Sequence, residues 1–384
     1  MHFEFTSPQR IIFGPGVVRE VPKLIKSFGN RAFVITGGSI LRSQPLLELA
    51  QKQSITCFQF AVSGEPTIER VCEGIALAKD SHCDCVVGFG GGSVIDAAKA
   101  IAVMLTNPGH PLDYVEVIGK GQTLRHASVP IIAIPTTAGT GSEATRNAVL
   151  GSSEQLVKVS MRSPLMLPQI ALVDPELTYS LPPHVTAASG LDALTQLIEP
   201  FVSCRANHMT DAICRDGLIR AARSLHRVYD SPQNLSARAD MALASLHGGL
   251  ALANAGLGAV HGIAGPLGGM FHAPHGAVCA VLLPHVMSAN IRALSERSPN
   301  HPALIRYAEI AQTLTRSPHS GMLDGVAWIA KTLETFQIPK LSTYGVQQSD
   351  LAVLVQKSMA ASSMKSNPIV LTANELSDII EKAL

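Results

Sequence analysis

Three groups of residues combine types and spacings that chemistry requires. The first is Gly90-Gly91-Gly92-Ser93, which stands between an apolar run and an Ala-rich stretch, with Asp96 three residues beyond Ser93. Glycines let the backbone turn tightly and let a ligand approach with no Cβ in the way, and the first N–H groups of a following helix favour an anion. Such a turn fits a pyrophosphate. A tight turn with Ser93 as helix cap and Asp96 as the acidic third residue fits the same spacing. The strict dinucleotide fingerprint is absent, because Gly88-x-Gly90 is followed at the sixth position by Ser93. The second group is Pro135-Thr136-Thr137-Ala138-Gly139-Thr140-Gly141-Ser142-Glu143, whose hydroxyls offer several short donors and also suit ordinary turn chemistry. In the third group, Asp192 and Gln196 are spaced i, i+4 and so share a helix face, while His261 and His275 flank Gly265-Pro266 and Pro274. Those prolines should break the helix and let two neighbouring helices turn both imidazoles toward one point. An Asp oxygen with two imidazole nitrogens is a common donor set for zinc or ferrous iron. Polar contacts between helices explain the same residues taken singly.

These groups need elements to hold them. Short β-branched runs at Arg10–Phe13, Arg31–Thr36, Asp84–Phe89, Val129–Ile134 and Ile170–Val173 predict buried strands. Helical spacing at Val17 to Phe28 and Ile68 to Ser81 lies between them, so a mostly parallel α/β sheet covered on both faces is expected. Both candidate turns then follow strands, at the carboxyl edge where open α/β sheets bind ligands. The pattern changes between Asp174 and Leu181-Pro-Pro183. Beyond it, Val185 to Val202, Met209 to Tyr229, Leu235 to Val260 and Pro302 to Leu314 read as helix with no strand alternation. We therefore expect an α/β domain over residues 1–180, an all-helical domain over 181–384, and a ligand cleft between them.

The composition narrows the function classes. Of 384 residues 46% are hydrophobic and 15% charged, which is the make-up of a chain with large cores. Thirty Lys and Arg against 29 Asp and Glu leave no basic surplus for nucleic acid. Apolar stretches such as Gly248 to Val260 stop short of the roughly 20 residues a bilayer needs. The first residues look like no export signal, so a cytoplasmic protein is expected. Seven scattered cysteines make neither a disulfide framework nor a paired zinc site.

Taken together, Gly90-Gly-Gly-Ser-Val-Ile-Asp96 with Lys99, Pro135 to Glu143, Val173-Asp-Pro-Glu176, Gly190-Leu-Asp-Ala-Leu-Thr195 and His261-Gly through Pro274-His275-Gly276 resemble the iron-containing (group III) alcohol dehydrogenases. The match runs in order along nearly the whole chain. The resemblance implies a dehydroquinate synthase-like fold, a metal between the domains, and hydride transfer between a small alcohol or aldehyde and NAD or NADP. By position, Asp192, His261 and His275 match three of the four usual metal ligands. Cofactor contacts are implied at Gly90, Gly91, Gly92, Ser93, Asp96, Thr136, Thr137, Thr140 and Lys158. Two family histidines are replaced, by Gln196 and by Gly265. Gln196 is expected as a weaker fourth ligand of Fe²⁺ or Zn²⁺ through its amide oxygen, and His272 as the substitute group that moves protons. Metal-free reductases of maleylacetate type and a lyase related to dehydroquinate synthase are the alternatives. Gly37-Gly38-Ser39 follows the strand Arg31–Thr36 where an acidic residue usually selects NAD, so the sequence permits NADP. A homodimer is expected from the frequency of two-fold assemblies.

Overall fold

The computed structural model describes residues 2–152, 154, 155 and 157–384. They form two compact units: one of residues 6–137 and 141–179, the other of residues 180–384 joined by 138–140 and 2–5.

In the first unit strands and helices alternate: β1 (Arg10–Phe13), α1 (Val21–Lys26), β2 (Arg31–Thr36), α2 (Ile40–Lys52), β3 (Thr56–Ala61), α3 (Ile68–Asp80), β4 (Cys85–Gly90), α4 (Gly92–Met104), α5 (Pro111–Tyr114), β5 (Ile131–Pro135), the hairpin β6 (Asn147–Ser152) and β7 (Val157–Arg162), and β8 (Ile170–Val173). Six strands make one sheet in the order β1-β8-β5-β4-β2-β3, with every pair parallel. Period-two alternation explains why both faces are covered. Phe33 and Ile35 of β2 join the core under α3 and α4, while Ala32 and Val34 join the core under α1 and α2. The sheet is therefore the parallel, doubly covered one expected. Three strands escape the sequence reading, because Thr56–Ala61 carries Thr, Cys and Gln, and the β6–β7 hairpin is half exposed.

The second unit is helical throughout its described residues: α6 (Pro183–Val202), α7 (His208–Asp230), α8 (Leu235–Ala255), α9 (Ala259–Phe271), α10 (His275–Arg297), α11 (Pro302–Thr315), α12 (Met322–Thr335), α13 (Leu351–Ala360) and α14 (Ala373–Ala383). Leu191, Leu194, Ile198 and Phe201 of α6 and Val278, Leu282 and Val286 of α10 lie in one buried core. Two sequence expectations change here. The stretch Leu235 to Val260 is not one helix, since α8 stops at Ala255 and Gly256 takes a positive φ of 75°. Conversely, Gly265-Pro266 does not interrupt α9, which runs on to Phe271; Gly262, whose carbonyl a Pro266 N–H would have met, and Gly265 have no Cβ to crowd the ring. The break falls at His272–Pro274 instead. Helix α10 is longer than the apolar stretch read from sequence and is long and apolar enough to cross a bilayer, yet 83% of that window is buried, as in a core helix.

Candidate metal centre and nucleotide-binding edge

In the sheet unit the strand order reverses between β2 and β4. The chain steps from β2 outward to β3, then returns to the other side of β2 and continues to β5. Such switch points leave a crevice at the carboxyl ends of the strands. Register aligns what stands there: Thr36 faces Phe89, and Gly90 faces Pro135, so Gly37-Gly38-Ser39, Gly91-Gly92-Ser93 and Thr136-Thr137 line one edge. Backbone hydrogen bonding fixes the turn, with Thr136 N–H donating to Gly90 O at 2.9 Å. Helix α4 is buried from Val94 onward, and only its first residues are partly open. Val94 and Ile95 N–H already bond back to Gly91 O at 3.0 and 3.1 Å, which leaves the earlier N–H groups pointing out of the helix end. A Cβ at Gly91 would touch only Thr137, at 3.5 Å, so the space beside this glycine is otherwise open.

One expectation at this edge is corrected. Gly91, not Ser93, is the N-cap of α4, and no side chain caps the helix. Asp96 is consequently not a capping partner. It is buried; its Oδ2 accepts the Val149 N–H at 2.9 Å and its Oδ1 pairs with Lys99 Nζ at 3.0 Å, tying α4 to β6. Lys99, fully buried, also donates to Ser142 O (3.0 Å), Thr145 Oγ1 (2.8 Å) and Asn147 O. Lys158 on β7 pairs with Glu65, which follows β3. Thr140 belongs to the short segment 138–140 that packs with the helical unit, where Gly139 lies against Ser189. Sequence reasoning passed over Glu143: it is buried and one carboxyl oxygen has no partner among the described residues. Burial pushes its carboxyl up to about 7, against a backbone hydrogen bond and the charge of Lys99.

In the helical unit, Asp192, His261, His275 and Cys279 bring one ligand atom each to within 4.8 Å of all the others. Asp192 Oδ1 is 3.6 Å from His261 Nε2 and 3.8 Å from His275 Nε2. Cys279, one turn after His275 on α10, places Sγ 3.6 Å from His275 Nε2. Asp192 and His261 are buried, while the His275 side chain keeps 36% exposure, so the cluster opens at that imidazole.

Local structure explains the convergence. His261 is the third residue of α9, and that helix begins where partners from distant elements receive its first N–H groups. Asn367 Oδ1 accepts from Ala259 N (3.1 Å) and Glu199 Oε1 from Val260 N (2.7 Å). Gly258, the N-cap, is obligatory there, since a Cβ would lie 2.8 Å from both of those acceptor oxygens. Glu199 acts twice: its Oε2 accepts the His261 Nδ1 proton at 2.6 Å, which turns Nε2 toward Asp192. Asp192, Gln196 and Glu199 are successive turns of one face of α6. At the start of α10, Gly276 rests against Ala188 O, where a Cβ would be only 2.6 Å away, and this contact brings His275 to Asp192.

The electrostatics suit a cation. Burial would raise the Asp192 carboxyl, but hydrogen bonding from His261, the charges of both imidazoles and a hydrogen bond from Gln196 hold it below the usual carboxylate value. Burial opposes ionisation of Cys279 as well, and the two imidazoles overcome it and lower the thiol. Asp192 Oδ1 and Gln196 Oε1 are both buried without a hydrogen-bond partner among the described residues. Orphaned buried oxygens beside two imidazole nitrogens and a thiol fit a divalent metal. The structure thus brings together Asp192, His261 and His275, with Gln196 beside Asp192. It sets His272 apart as the exposed C-cap of α9, in the left-handed region at φ 50°. Glu199 and Cys279 were not found from sequence; their signals were the i+7 spacing from Asp192 and the i+4 spacing from His275.

Comparison with known proteins identifies the family. Residues 8–175 match the family model described as iron-containing alcohol dehydrogenase, and residues 186–384 match its C-terminal counterpart. Alcohol dehydrogenase 4 of Schizosaccharomyces pombe is 36% identical over 99% of this chain and 89% of its own length. The NAD-dependent methanol dehydrogenase of Bacillus methanolicus is 33% identical over 99% of both. A crystal structure of 1,3-propanediol oxidoreductase, 32% identical, superposes over 100% of both chains with a TM-score of 0.92. With relatives of that identity along its full length, and with both halves matched by the same family's models, the chain belongs to the iron-containing alcohol dehydrogenase family.

Proposed function

We propose that the protein is a metal-assisted, nicotinamide-linked dehydrogenase that interconverts a small alcohol and its aldehyde. The observation that carries this reading is the buried, partnerless Asp192 Oδ1 flanked by the Nε2 atoms of His261 and His275. When bound, a divalent metal supplies Lewis-acid polarisation of a substrate oxygen, and the nicotinamide supplies the hydride acceptor or donor. The chain's own part is placement. Glu199 holds His261 in the tautomer whose Nε2 is free, and half-exposed His275 marks the side from which a small substrate enters. Gly91, Gly92 and Ser93, with Thr136 and Thr137, would cradle the pyrophosphate, and Gly37-Gly38-Ser39 would meet the adenosine ribose. His272, exposed at the turn between α9 and α10, would relay the proton.

NAD is supported by the name of the methanol dehydrogenase relative. The lack of a carboxylate at residues 37–39 leaves room for NADP as well; comparison of kcat/KM for the two cofactors decides, and a hundredfold preference for either identifies the physiological one. All seven cysteines are free, which suits a reducing compartment such as the cytoplasm.

The test is to follow nicotinamide absorbance over a panel of primary alcohols and aldehydes, before and after removal of metal. Turnover that needs metal is expected. Full turnover after exhaustive chelation would replace this reading with a metal-free reductase.

A further inference from the structure

We propose that the Cys279 thiolate, and not Gln196, is the fourth protein ligand of the metal centre, making it an Asp-His-His-Cys site that selects zinc. The proposal rests on the metal-assisted reading above and adds the ligand set and the identity of the ion.

Geometry supports it. A tetrahedral zinc site with bonds of about 2.0–2.3 Å needs donor atoms about 3.3–3.8 Å apart. Asp192 Oδ1 lies 3.6 Å from His261 Nε2 and 3.8 Å from His275 Nε2, and Cys279 Sγ lies 3.6 Å from His275 Nε2. No pair of the four donors exceeds 4.8 Å, so closing on an ion requires side-chain shifts of about 1 Å. The sulfur is fully buried and lies on a rigid helix one turn from His275, which fixes its direction. Gln196, one turn from Asp192 on α6, has its Oε1 buried without a partner among the described residues. A neutral amide oxygen is a weaker donor than a thiolate, so Cys279 outcompetes it for the fourth position.

Chemistry then chooses the ion. A thiolate is a soft, anionic donor, and a four-coordinate set of one sulfur, two imidazoles and one carboxylate suits zinc, or cobalt as its substitute, better than ferrous iron. A fully closed tetrahedron would leave no position for substrate, so the carboxylate or a fifth coordination position must admit the substrate oxygen.

The experiment is spectroscopic and independent of turnover. The full-length protein is freed of metal and loaded with Co²⁺, and the near-ultraviolet thiolate-to-cobalt charge-transfer band is recorded; the zinc form is examined by X-ray absorption. The expected results are a charge-transfer band, and one sulfur at about 2.3 Å among nitrogen and oxygen neighbours in the zinc shell. Cys279→Ser should lose the band and bind zinc at least tenfold more weakly, whereas Gln196→Ala should keep the band. Should either variant fold poorly, the two measurements on the unaltered protein stand alone. Cobalt bound without the band, or a zinc shell without sulfur, would overturn the thiolate ligand while leaving the metal-assisted reading intact. A protein that takes up neither ion would overturn both.

Discussion

Two carboxylates show how much depends on single side chains. Glu199 shares its oxygens between Val260 N and His261 Nδ1, at 2.7 and 2.6 Å. A glutamine has one acceptor oxygen, so Glu199→Gln must release either the start of α9 or the orientation of His261. Groups that orient a metal-bound imidazole are commonly worth 10- to 100-fold in metal affinity. We expect a loss of about that size by competition titration against a chelating dye, with the fold retained. Glu143 is a different case. Its carboxyl titrates near 7 in the folded protein, against 4.5 when unperturbed, so the folded state holds more protons between those values. The stability from its neutral form is therefore present in full below about 4.5 and is lost as pH rises through 7, by a few kcal/mol at most. Glu143→Gln, which cannot ionise, should flatten the fall in Tm between pH 5 and pH 8. An equally steep fall in the variant would show that other groups carry it.

At the scale of elements, the site depends on where helices begin. Gly258→Ala would drive a Cβ against Asn367 Oδ1 and Glu199 Oε1, each 2.8 Å away. Displacing both acceptors from the α9 N-terminus should cost about 2–3 kcal/mol and weaken metal binding together. Denaturant unfolding, paired with metal titration, measures both. At the other edge, Gly91→Val should leave the sheet folded, because the site of its Cβ is open but for Thr137. The branched side chain would occupy the space of the pyrophosphate, and we expect cofactor affinity to fall at least tenfold, about 1.4 kcal/mol. Unchanged affinity in a folded variant would remove the glycine turn from the cofactor site. These elements also mark what a sequence reveals. Short β-branched runs made β2, β4, β5 and β8 legible, because burial on both faces leaves little place for polar residues, and the run Ile11-Ile12-Phe13 marked β1 although that edge strand is half exposed. Thr56–Ala61 at the sheet edge lacks that signature, and Pro266 looked like a break although neighbouring glycines accommodate it.

For the whole molecule, the parallel sheet and the helical second half follow from patterning, and the candidate set Asp192, His261 and His275, which the structure brings together, was legible from residue type and order. Gln196 beside Asp192 was legible by its i, i+4 spacing. Cys279 and Glu199 were not, because their meaning comes from helices that meet only in three dimensions: α6, α9 and α10 converge through Gly258 and Gly276, whose importance is steric. Ser93 misled because a serine after a glycine turn resembles a cap, whereas the chain enters α4 two residues earlier, at Gly91. In the proposed mechanism turnover depends on an ion held by Asp192, His261 and His275. One measurement tests it most directly: metal per chain and nicotinamide turnover followed in the same sample through one cycle of chelation and restoration, for the unaltered protein and for His261→Ala. Metal and turnover are expected to fall and return together in the unaltered protein, and the variant to show neither. Undiminished turnover in samples without metal, or in His261→Ala, would contradict it.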